Sequence, residues 1–101
     1  MIRIINYYRK KNKNLAIAPD NDAFWVNLGP VIKNLKELKE VLKTINDQQY
    51  SHHVNSQKND FAKWVKEILR DADCSRELLR CQNRYAALKV VEKYLREYKN
   101  S

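Results

Sequence analysis

Apolar positions along this chain recur mostly at helical spacing, and only the first third carries short β-like stretches. Leu35, Leu38, Val41, Leu42 and Ile45 fall on one face of a helix, with Lys36, Lys39 and Lys43 opposite. Asn34 followed by Glu37 forms a variant capping box for its start. A start with Pro30 in the first helical position stays open, because Val31 is in phase with the apolar face. Asn46 and Gln49 open a second, short helix by the same device, on which Tyr50, His53 and Val54 share a face and His52 points away. The run Ser56, Gln57, Lys58 interrupts, and Asn59 or Asp60 caps a third helix. Its apolar face is Phe61, Trp64, Val65, Ile68 and Leu69, with Lys63, Lys66 and Arg70 on the other side. After a break at Asp71 to Asp73, a short helix through Leu78 and Leu79 leads into a longer one ending near Tyr98. There Ala87, Leu88, Val91, Tyr94, Leu95 and Tyr98 face inward, and Lys89, Lys93, Arg96 and Lys99 face outward.

Residues 2 to 8, IRIINYY, are β-branched and aromatic and predict a short strand. FWV at 24 to 26 predicts another, the turn signal NLGP follows, and Val31 and Ile32 return as the second arm of a hairpin. The expected fold is therefore mainly α, a compact bundle of about four helices with a small N-terminal β-strand or hairpin element. The chain of 101 residues is expected to be one domain. It divides into a basic strand and loop (1–22), a central core (23–70) and C-terminal helices (71–101).

Composition narrows the function classes. With 44% hydrophobic and 32% charged residues, the chain reads as globular, not disordered. No apolar run approaches the roughly 20 residues needed to cross a bilayer. The N-terminal residues turn basic before any signal-peptide apolar region develops. A cytoplasmic protein without membrane contact is expected. The only glycine is Gly29, and nucleotide-binding loops need several where backbone approaches phosphate, so those folds are excluded. Cys74 and Cys81, if they share a helix, lie on one face roughly 10 Å apart, too far for a disulfide. They read as small buried hydrophobes.

Candidate chemistry concentrates in HHVNSQKNDFAKWV, residues 52 to 65. His53 oriented by Asp60 has the makings of a general base, since imidazole titrates near neutrality. A nucleophile would have to come from Ser51, Ser56, Ser75 or the cysteines, and no spacing demands one. Adjacent histidines on a helix diverge by about 100°, so His52 and His53 do not readily share a metal ion. His53 with Asn55 and Asp60 is a poor zinc set. Neither a metal nor a cofactor is expected. The reading that accounts for more of the residues is a polar joint between helices. In it Asn55, Asn59 and Asp60 satisfy backbone groups, His53 bonds across the junction, and Phe61 and Trp64 pin the third helix onto the first.

These residues also carry a resemblance. AFWVNLGPVIKNLKELKEVL and HHVNSQKNDFAKWVKEIL resemble a prokaryotic family of small helical domains with a G-x-V-like hairpin, an N-L-x-E-L helix and an H-V-N…K-N-D-F-x-x-W segment. The match covers about residues 23 to 70, with signature positions His53, Val54, Asn55, Lys58, Asn59, Asp60, Phe61 and Trp64. It implies a helical fold and an appended or accessory role, binding rather than catalysis. No activity comes with it.

Charge supplies the last clue. The net charge is +8, and residues 1 to 20 hold five basic side chains against one acid, half of that surplus. Tyr7 and Tyr8 adjoin Arg9, Lys10, Lys11 and Lys13, a mixture of stacking rings and cations suited to nucleic acid. Glu37, Glu40, Glu67 and Glu92 interrupt the lysine-rich helix faces and weaken the field a phosphate backbone would meet. The expected function is that of a non-enzymatic, macromolecule-binding accessory domain, with protein–protein interaction ahead and nucleic acid as the alternative. Tyr7, Tyr8, Trp25 and Tyr98 are candidate surface aromatics. Homodimerisation through Leu88, Val91, Leu95 and Tyr98 is one version, because a small core was not expected to consume them all.

Overall fold

Asparagine and aspartate side chains set where the helices begin. The computed structural model describes residues 13–99, and among them five α-helices follow one another: α1 (Leu35–Thr44), α2 (Asp47–His53), α3 (Asp60–Glu67), α4 (Ala72–Leu78) and α5 (Arg84–Leu95). Each starts behind a cap (Asn34, Asn46, Asn59, Asp71, Asn83) whose side-chain oxygen accepts the backbone N–H three residues on. At α2 the box is reciprocal, since the Gln49 side chain accepts in turn from the Asn46 amide. At α1 Glu37 instead reaches one residue further back and accepts from the Lys33 amide at 2.7 Å.

A 3-10 turn at Asp20–Asp22 precedes two small antiparallel hairpins: β1 (Phe24–Trp25) with β2 (Val31–Ile32), and β3 (Val54–Asn55) with β4 (Lys58–Asn59). The architecture is mainly α, with five helices where about four were expected. The segment between α2 and α3, read as an interruption, is a second hairpin. Val54 accordingly leaves the helix and is only half-buried. Val31 belongs to β2, which removes the Pro30 start for α1. The strand expected at residues 2–8 lies outside the described residues.

The core follows the predicted faces with few departures. Leu35, Leu38, Val41 and Leu42 of α1 pack against Ala87, Val91, Tyr94 and Leu95 of α5. Arg84, at the start of α5, donates to the Leu42 carbonyl at 2.8 Å, satisfying an orphan acceptor at the end of α1, so the two helices run antiparallel. The C-terminal apolar positions are absorbed internally: Val91, Leu95 and Tyr98 are buried and Leu88 is half-buried. That corrects the expectation of a surplus face for dimerisation, and removes Tyr98 from the surface aromatics. Its hydroxyl donates to buried Asp71, which also caps α4.

The break predicted at residues 71–73 falls earlier, at 68–71, and Ala72 and Asp73 already belong to α4. Arg70 turns the chain in the left-handed region at φ 63° and the Asp71 amide reaches the Val65 carbonyl at 3.1 Å, a Schellman-type closure of α3. Helix α4 stops at Leu78, leaving Leu79 exposed and Cys81 outside it. The two thiols therefore do not share a helix face. Both are free, and burial pushes the Cys74 thiol well up.

Glu77 of α4 clasps α5 by accepting from the Tyr94 hydroxyl and the Lys93 ammonium. The Tyr94 and Lys93 hydrogen bonds hold its carboxyl below the ordinary carboxylate range. Its stabilisation is thus complete above that ordinary range and is lost as pH falls through the lowered value. Replacing Glu77 by Gln is expected to flatten the acid limb of the stability–pH curve below about pH 4. Urea midpoints across that range check it, and an unchanged limb refutes it.

Candidate functional site

Residues 52 to 65 form a joint of a different kind from the one expected. Asn55 accepts from the Gln57 amide at 2.9 Å, and this side-chain turn lets the chain reverse within the β3–β4 hairpin. Asn59 then works in two directions. Its oxygen caps α3 through the Ala62 amide at 3.0 Å, while its Nδ2 donates to the Leu78 carbonyl at the end of α4 at 3.1 Å. Asp60 is therefore not the cap. It accepts from His53 Nδ1 at 3.0 Å and from Lys58 at 3.1 Å. Burial opposes its ionisation, but the hydrogen bonds from His53 and Lys58 prevail and its carboxyl lies below its ordinary value.

His53 is buried, and its other nitrogen, Nε2, accepts the Asn27 backbone N–H at 2.9 Å. A ring that accepts at Nε2 and donates at Nδ1 is the neutral Nδ1–H tautomer. Both nitrogens are spent on the fold, so the ring has no lone pair to offer a substrate proton. Of the candidate nucleophiles, Ser75 is buried and donates to the Ala62 carbonyl at 2.6 Å and Cys74 is buried, whereas Ser51 and Ser56 are exposed and Cys81 is half-buried. Among the described residues, no three His, Cys, Asp or Glu side chains gather closely enough to hold a metal ion. His52 is exposed, and its ring meets His53 edge-on at 4.9 Å.

What the joint fastens is the β1–β2 hairpin. Gln49 Nε2 donates to the Asn27 carbonyl at 2.9 Å and to the Leu28 carbonyl at 3.3 Å, beside the His53 bond to the Asn27 amide. Behind the hairpin, Phe24 stacks on Phe61 at 4.8 Å and meets Trp64 and His53 edge-on at 5.6 and 4.9 Å. Tyr50 stacks on the same Phe61 at 5.8 Å. Trp64 Nε1 donates to the Asp22 carbonyl at 2.7 Å. Phe61 and Trp64 thus pin α3 to β1 and the turn before it, where the sequence suggested α1. Asn27 carries no local signal for this role, since its partners lie 22 and 26 residues away.

The front of the hairpin is apolar and open. Phe24 pairs with Ile32 on the buried face, which sends the cross-strand pair Trp25 and Val31 outward, 75% and 45% exposed. At the tip Leu28 is 91% exposed and sits in the left-handed region at φ 55°. Gly29 does not take that conformation. It serves close approach, because a Cβ there would lie 2.9 Å from Val26 Cγ1. Val31 also lines a groove of about 520 Å³ between β2 and α1, with Pro30, Ile32 and Val41 in its walls and Lys36, Glu37 and Glu40 among its lining residues.

Of the proposed nucleic-acid contacts, Tyr7, Tyr8, Arg9, Lys10 and Lys11 lie outside the described residues. Lys13 pairs with Glu97 at 2.9 Å, and its ammonium stands 5.5 Å from the centre of the Tyr98 ring. No described helix is long and apolar enough to cross a membrane. Compared with known protein families, curated proteins and solved structures, the chain finds no match. Function is therefore read from geometry.

Proposed function

We propose that this chain is a non-enzymatic protein-binding module whose contact surface is the outer face of the β1–β2 hairpin. The observation that carries this is Leu28. The left-handed conformation costs a non-glycine residue roughly 1–2 kcal/mol, and asparagine or glycine relieves it. A leucine nine-tenths exposed gains nothing from the fold in return. Strain of this kind collects at functional positions. Trp25 and Val31 stand on the same small β element, and an exposed tryptophan beside aliphatic residues is the usual nucleus of a protein interface. The bonds from His53 and Gln49 hold the hairpin rigid from behind, which limits the ordering entropy lost on binding.

A second reading, binding to nucleic acid, draws on the net charge of +8 and on Lys36, Lys39 and Arg96, which line one hollow between α1 and α5 together with Glu92.

A photo-crosslinking amino acid placed at Val31, beside an intact Trp25, and at exposed Lys63 as control, distinguishes these readings in cells of the source organism. The expected result is a discrete protein adduct from position 31 alone, resistant to nuclease. It should disappear when Leu28→Asn is added, although that substitution should leave the fold as stable or up to about 1 kcal/mol more so. Equal adducts at both positions, or adducts that nuclease removes, overturn the proposal.

A further inference from the structure

We infer that the hairpin face takes a short segment of another protein, apolar at its anchor and rich in Asp or Glu beside it, and not a second copy of this chain. This rests on the protein-binding reading above and adds the chemistry of the partner. The first ground is continuity. Val31 belongs both to the exposed hairpin face and to the β2–α1 groove, so the apolar surface runs from Trp25 over Val31 into the groove. Lys36 lines that groove and also the hollow on the other side of α1, where Lys39 and Arg96 stand with Glu92 and Leu95. An apolar channel and a cationic hollow thus share one lysine.

The second ground is which charges are left over. Lys33 is bound to Asp20, and the Glu37 carboxylate is engaged by the Lys33 amide. Glu40 lies between Lys39 at 3.8 Å and Lys43 at 3.7 Å. Lys36 and Arg96 have no ion-pair partner among the described residues. Glu37 and Glu92 also lack an ion-pair partner among the described residues, but the hollow beside the groove sets Lys36, Lys39 and Arg96 against Glu92 alone, so its charge is positive and it calls for carboxylates.

The third ground is area and net charge. Trp25, Leu28 and Val31 expose on the order of 400 Å² of side chain, about half of what each partner contributes to a standard interface. A symmetric pair of such faces would be small, and each copy would bring a net charge of +8 against the other. A short extended or helical segment needs less area, and acidic residues turn the charge into attraction.

The test is to pan a random peptide-display library against the full chain and measure the selected peptides by fluorescence anisotropy, with sedimentation equilibrium of the free protein alongside. The expected peptides carry an aromatic or aliphatic cluster next to Asp or Glu. Trp25→Ala should weaken them at least about tenfold, and so should Lys36→Glu combined with Arg96→Glu. All of these positions are exposed, and unchanged melting curves will show that the variants are folded. Peptides without acids that bind the charge-reversed variant unchanged overturn this inference while leaving the hairpin reading intact. Peptides indifferent to Trp25→Ala, or no enrichment, overturn both. A dimer that Trp25→Ala dissociates assigns the face to a second copy and overturns the inference. Single-stranded DNA that binds the wild-type chain and is lost on charge reversal assigns the hollow to nucleic acid, with the same result.

Discussion

Replacing His53 with alanine is expected to lower the stability of the fold by about 3–4 kcal/mol. Two costs combine. The ring fills space against Phe24 at 4.9 Å and Phe61 at 5.1 Å, so truncation leaves a void beside two aromatic faces. It also strips the Asn27 amide of its acceptor, and an unsatisfied partly buried N–H costs about 1–3 kcal/mol. Asp60 contributes less to the loss, because it is one-third exposed and keeps Lys58. Urea denaturation with an unchanged m-value measures the total. Amide exchange should show Asn27 losing protection while Leu38 and Val91, in the α1–α5 core, lose it only as far as global stability falls. A loss below about 1 kcal/mol would mean that the His53 bonds are not what secures the hairpin.

Phe61→Ala is expected to cost about 4 kcal/mol, a large fraction of the 5–15 kcal/mol typical of a small domain. Phe61 is 1% exposed and is the ring on which Phe24, Tyr50 and His53 converge. Each stacked or edge-on pair adds about 0.5–1.5 kcal/mol beyond area burial. Phe61→Leu preserves most of the volume and should cost less than about half as much. Because Phe61 and His53 touch, the double alanine variant should lose less than the two single losses added together. Independent, additive losses would show that the cluster is not a unit. Both variants should also weaken whatever binds Trp25, because the hairpin that presents it loses its backing.

The helices were legible because their determinants are local. A cap such as Asn46 and its partner Gln49 lie three residues apart, and the apolar face of α1 repeats within ten residues. The Phe24–Trp25 and Val31–Ile32 hairpin was legible for the same reason, through its aromatic and β-branched residues and the NLGP turn. The β3–β4 hairpin was not, because Asn55, Lys58 and Asn59 are polar and no glycine or proline marks its turn. Nor was the end of α4, where Leu79 continues the apolar pattern and still has helical geometry as the C-cap, yet lies on the exposed side.

The sequence by itself determined the mainly helical class and the Asn34 and Asn46 caps, and it offered Asp60 both as a cap and as a partner for His53. Only the tertiary structure decided what that pair is for. The Asn27 amide that fills the second nitrogen of His53 comes from 26 residues away, and no periodicity encodes such a contact. It also decided which apolar residues the core would consume. Val91, Leu95 and Tyr98 are buried because α5 lies along α1 and its end meets Asp71, whereas Trp25 and Leu28 stay outside because their hairpin buries its other face. Burial is a property of the assembled surfaces, and a hydrophobic residue shows which side it faces only once those surfaces have met.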